Sequence, residues 1–176
     1  MLLYPKWPAI GITLFHAFFM CGLLTLVIVE WDRQRLKPWH DLALIGVFAI
    51  FALCFPFMQP VPVDENLPFV VSLESPVMAQ AAKVVVGLVC GLVLGYLTGL
   101  LAFGGHWRVT SIAFVLTGIV VGWQGLVQVA VVFFVLLLCS YLAPRIRTRI
   151  ATKPTSLLLV AVMLHHPFWK FILGWW

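Results

Sequence analysis

Few residues of this chain can do acid–base chemistry, and the acids among them lie in its first half. Six acidic residues occur among 176, and none follows Glu74. Glu30 and Asp32 stand two apart in the charged run Glu30-Trp31-Asp32-Arg33-Gln34-Arg35-Leu36-Lys37-Pro38, and Asp41 follows shortly after. Asp64, Glu65 and Glu74 fall in a Pro-rich polar stretch, residues 59–76. Two carboxylates that share one proton can hydrolyse an amide: one activates the water while the other protonates the carbonyl. Residues two apart on a helix face different ways, so Glu30 and Asp32 do not make such a pair. Glu30 with Asp41 is the alternative, although Asp41 also suits the cap of the helix it opens.

Other chemistries find less support. His165 and His166 are adjacent, so on a helix their rings point about 100° apart, a poor arrangement for a shared metal. His16, His40 and His106 are scattered, and no metal site is expected. Cys21, Cys54, Cys90 and Cys139 all sit inside apolar runs without a CxxC pair and read as buried structural thiols. No Ser or Cys nucleophile has a His and an acid at a suggestive spacing. Gly104-Gly105 is too short for a phosphate loop and no P-loop Lys follows. No cofactor is implied.

These residues are carried by elements that belong in lipid. Hydrophobic residues make up 63% of the chain, charged residues only 10%, and mean hydropathy is +1.09. Soluble domains are nearer a quarter charged, so this composition excludes a soluble core and points to a single membrane domain. The net charge of +5 then speaks for anionic lipid head groups as partner and not nucleic acid, because the basic residues sit in short segments between apolar runs. Lys6 ahead of the first apolar run reads as the flank of a spanning helix and not as a signal peptide.

The apolar runs give an all-α, polytopic fold of six helices: about 8–29, 42–58, 77–103, 109–122, 125–142 and 155–173. The stretch 109–142 is too long for one crossing at 1.5 Å per residue and is divided at Gly122-Trp123-Gln124-Gly125. With six helices, Arg33, Arg35, Lys37, Arg108, Arg145, Arg147, Arg149 and Lys153 fall on one side, which the positive-inside rule makes cytoplasmic. Both termini are then outside. Gly87, Gly91, Gly95 and Gly99 repeat every four residues and form a smooth helix-packing stripe, for a helix of the same chain or for a second copy.

The segment from Leu26 to Ala43, LVIVEWDRQRLKPWHDLA, and the segment from Gly95 to Leu142, with Gly104-Gly105, Gly118 and Gly122-Trp123-Gln124, resemble the two active-site regions of type IV prepilin peptidases. That family consists of membrane aspartic endopeptidases that remove prepilin leaders on the cytoplasmic side, for type IV pili and type II secretion. The resemblance covers most of residues 10–142 and implies a prepilin-peptidase-like fold in a bacterial inner membrane, with prepilin-like partners. The family's first catalytic Asp corresponds to Glu30. The second, from a Gly-x-Gly-Asp motif, corresponds to Thr110 when counted back from Gly122-Trp123-Gln124 without gaps, or to Arg108 with a two-residue gap. Larger members add a cytosolic Cys-paired domain with methyl-transfer activity, to which nothing here corresponds.

With the second carboxylate replaced, the expectation is a catalytically impaired relative that binds a prepilin or another membrane partner. One alternative is an active peptidase that joins Glu30 to another acid, such as Asp41. The other is a small membrane scaffold or transporter subunit. A transporter would show repeated halves and polar residues at mid-membrane. No internal repeat is visible, and the mid-membrane polar residues are few: His16, Lys83 and Gln128.

Overall fold

The computed structural model describes residues 7–32, 37–55, 76–101, 107–142 and 153–173, with backbone only for residues 7–10, 12, 76, 77, 107 and 166–173. These residues form five helices and no strand: α1 (Trp7–Trp31), α2 (Pro38–Cys54), α3 (Pro76–Leu101), α4 (Trp107–Leu142) and α5 (Pro154–Leu173). Three stretches are long and apolar enough to cross a membrane, namely Thr13–Trp31, Met78–Leu101 and Arg108–Leu142. Two further apolar helices are shorter, Pro38–Cys54 and Pro154–His165. Large apolar side chains such as Val85, Val89, Leu92 and Leu100 on α3 are exposed, which suits lipid and not water.

The 36 residues of α4 do not make one rod. Gly122 has φ 81 and ψ 167, a backbone conformation that glycine adopts without a Cβ clash. Phe114 and Phe133 stack edge to face with ring centroids 5.2 Å apart. Nineteen residues of straight helix would separate them by about 28 Å. A Cβ on Gly118 would likewise lie 3.2 Å from Leu126. Helix α4 therefore folds back at Gly122 into two antiparallel arms, residues 107–121 and 123–142. The sequence expectation placed its division at this glycine.

The first arm is the centre of the molecule. Every residue from Val109 to Val121 is buried, as fits a helix apolar on all sides. Helix α4 touches each of the other four helices. Against α3 the approach is backbone to backbone. A Cβ on Gly87 would meet the Gly118 carbonyl oxygen at 2.2 Å, one on Gly91 the Phe114 oxygen at 2.6 Å, and one on Gly95 the Ser111 Cα at 2.5 Å. The stripe on α3 thus packs within the chain, and Gly99 continues it half-buried. Buried hydroxyls inside the helices return to carbonyls one turn back: Thr98 to Leu94, Thr117 to Ala113 and Ser140 to Leu137.

Helix α2 starts earlier than the apolar run at 42 suggests. Pro38 takes the first turn, where its missing N–H costs nothing, and Lys37 precedes it in extended conformation without a side-chain cap bond. Asp41 therefore lies inside the first turn and does not cap the helix. The helix ends at Cys54, and residues 56–58, which the expected helix included, lie outside the described residues. At that end Gln80 of α3 donates to the carbonyl of Ala52 at 2.9 Å, satisfying one of the last carbonyls of α2. Lys83 approaches the Gln80 side-chain oxygen at 3.4 Å.

The glycine seam yields a sharp contrast. Gly91→Ala drives a methyl into the backbone at Phe114 and Val115 and is expected to lower stability by about 1–3 kcal/mol. Gly46→Ala, with nothing within 4 Å, is expected to be neutral. Thermal unfolding in micelles, followed by tryptophan fluorescence, checks both.

Candidate functional site

Four helix ends converge at one end of the bundle: the last turn of α1 and the first turns of α2, α4 and α5. Three contacts fix them. The Trp31 indole N–H donates to the Ser156 hydroxyl at 2.9 Å. Arg108 binds Asp41. The hydroxyls of Thr110 and Thr155 lie 3.3 Å apart, either one as donor. The segments between these helices carry Arg33, Arg35, Arg145, Arg147 and Arg149 in the sequence; those residues lie outside the described ones.

Glu30 occupies the last turn of α1 and is 1% exposed. Its carboxylate faces the start of α5. The Thr155 hydroxyl and the N–H groups of Thr155 and Ser156 stand within electrostatic reach, as does Lys153. None of these closes a hydrogen bond of ordinary geometry, and neither carboxylate oxygen has such a partner among the described residues. Lys153 instead places its ammonium 3.7 Å from the Trp31 ring centroid, a cation–π contact. Asp32, two residues on, is exposed, as helical geometry requires.

Asp41 is buried but engaged. Arg108 Nε donates to its Oδ2 at 2.7 Å, and the second guanidinium nitrogen donates to the same oxygen. The Arg108 side chain is 45% exposed, so the pair joins a buried carboxylate to a cation at the bundle surface. Asp41 thus has a cation as its immediate partner.

The positions matched to the peptidase motif therefore separate. Thr110, fully buried on the first arm of α4, reaches the same Thr155 that faces Glu30. Arg108, the alternative match, points instead to Asp41. Thr155, Ser156, Lys153 and Trp31 complete the site, and no sequence spacing singled them out. Pro154-Thr155-Ser156 does read as a helix start with Pro in the first turn, but nothing in it points to position 30.

The histidines stay apart from this end. His16 is buried on α1, and His40 is exposed. His165, buried on α5, pairs with the Gln128 side-chain oxygen at 2.7 Å and ties α5 to the second arm of α4. His106 and the side chain of His166 lie outside the described residues. Among the described residues no group of three His, Cys, Asp or Glu side chains is placed to hold a metal.

No family model, curated protein or solved structure matches the chain.

The Asp41–Arg108 pair is open to a direct test. Arg108→Met leaves the buried carboxylate without its donor and is expected to cost about 1–3 kcal/mol. Removing both partners in Arg108→Met/Asp41→Leu is expected to recover most of that loss, since unmet charge and not the missing bond carries the cost. Unfolding midpoints of wild type, single and double variants in one detergent decide the matter.

Proposed function

We propose that this chain is a multi-pass protein of a bacterial inner membrane with the layout of the prepilin-peptidase family and without its cleavage activity. In this reading α1, α2, α3, both arms of α4 and α5 are six membrane-crossing segments. The end that gathers Glu30, Asp41, Thr110 and Thr155 faces the cytoplasm, both termini face outward, and a prepilin or another membrane partner binds at the cytoplasmic end. The charge distribution supports that orientation, because the basic segments all adjoin this end.

One observation carries the loss of cleavage. Where a second carboxylate would share a proton with Glu30, the chain presents the Thr110 hydroxyl against Thr155. The other buried acid at this end, Asp41, is bound by Arg108. A hydroxyl of ordinary acidity neither activates water nor gives up a proton at neutral pH, so the general acid–base contribution, about 10²–10⁴-fold in rate, is absent.

Co-expression with a prepilin in bacterial membranes tests the reading, with Glu30→Ala as control. No leader removal is expected from the inserted, folded protein. Cleavage that Glu30→Ala abolishes would overturn the proposal and assign the second acid elsewhere. A gain of function tests the layout separately. Thr110→Asp places a carboxylate beside Thr155 and is expected to produce leader removal that Thr110→Asp/Glu30→Gln loses again. Silence of a folded Thr110→Asp variant would count against the peptidase-like arrangement of positions 30 and 110.

A further inference from the structure

We propose that Glu30, Thr110 and Thr155 form a binding site for a monovalent hard cation, sodium or potassium. The inference depends on the burial and chemistry of these three residues, and whether the chain cleaves prepilins has no bearing on it.

The argument starts from the Glu30 carboxylate. It is 1% exposed, and neither oxygen closes a hydrogen bond with the described protein. Burying an ionised carboxylate without close partners is among the costliest arrangements a fold can contain, and such groups are paired, neutralised or coordinated to a metal. Two sources of positive potential are near: the N-terminus of α5 and Lys153. The Lys153 ammonium is committed to the face of Trp31 and forms no ion pair with Glu30. The α5 N–H groups act on the carboxylate without closing bonds. Both therefore moderate the charge at longer range and, among the described residues, leave the short-range demand of two oxygens unmet.

The neighbouring groups define what would meet it. Thr110 and Thr155 are both buried, with hydroxyl oxygens 3.3 Å apart, and Thr155 faces the carboxylate. Hydroxyl and carboxylate oxygens are hard ligands, suited to alkali and alkaline-earth cations and not to metals that need nitrogen or sulfur. A single carboxylate among neutral hydroxyls balances one positive charge. The C-terminal end of α1, which stops at Trp31, adds the favourable pole of its dipole beside Glu30. An ordered water is the competing occupant, since it too supplies donors to an orphaned carboxylate.

Cation-dependent unfolding separates the two. The full chain, purified in micelles at fixed pH and constant ionic strength, is titrated with sodium chloride or potassium chloride against choline chloride. The expected result is a saturable rise in the unfolding midpoint of several degrees with one or both alkali cations and none with choline. Glu30→Gln is expected to abolish the difference. Thr110→Val, which keeps the carboxylate, is expected to shift the half-saturating concentration upward at least threefold and remains informative if Glu30→Gln does not fold. Equal midpoints of the wild-type chain in sodium, potassium and choline would overturn the proposal and leave water as the occupant. An alkali-cation effect undiminished in Thr110→Val and in folded Glu30→Gln would overturn it too, by placing the cation elsewhere.

Discussion

The structure depends on burying one helical arm completely. Residues 107–121 run through the middle of the bundle, and from Val109 to Val121 none reaches the surface. Such an arm needs close neighbours on every side, and the glycines of α3 provide the closest. At Gly87 and Gly118 the two backbones approach until either added Cβ would collide with the other's carbonyl oxygen. In lipid no hydrophobic force drives helices together, so this contact must be won by dispersion at short range. Glycine alone permits that range here. Because the arm is locked against α3, its first turn is held firmly, and Arg108 and Thr110 inherit that fixed position.

The turn at Gly122 follows from the same constraint. An arm of fifteen residues is about 22 Å long, and a second arm of the same chain can pack along it only if the chain reverses at its end. A left-handed residue at 122 lets it reverse, and the second arm returns along the first with Phe133 against Phe114. The reversal in turn brings Gln128 beside His165 on α5.

Much of this was legible in residue order. The largely apolar stretch of 34 residues, 109–142, with Gly122-Trp123-Gln124-Gly125 near its middle announced the reversal, and glycines every fourth residue announced the seam. Charges placed between runs sorted the helix ends. The site was less legible, for a physical reason. Thr155 lies beside both Glu30 and Thr110 because three helix ends stop at one end of the bundle, and that depends on where each helix begins. A start at Pro38 in place of residue 42 turns Asp41 from a cap into the partner of Arg108. No periodicity encodes that offset, and Thr155 carries no local sign that it will face Glu30.

The two buried acids at this end show opposite solutions to one problem. Asp41 is paired with a guanidinium that still reaches the surface, so the cation of the pair keeps much of its hydration. Glu30 has the Thr155 hydroxyl and a helix N-terminus as neighbours, and among the described residues the cation near it, Lys153, is turned to an indole ring. A glutamine would fit the same volume without the charge, so the carboxylate has to be paired, neutralised or coordinated to be worth its burial. In the proposed peptidase-like layout a second carboxylate would share a proton with Glu30, and residue 110 is a threonine. A hydroxyl at 110 leaves one negative charge in place of two. Such a set of oxygens, as proposed, suits a bound cation and not a proton passed between acids, so the proposed loss of cleavage and the proposed cation site both turn on the side chain of residue 110.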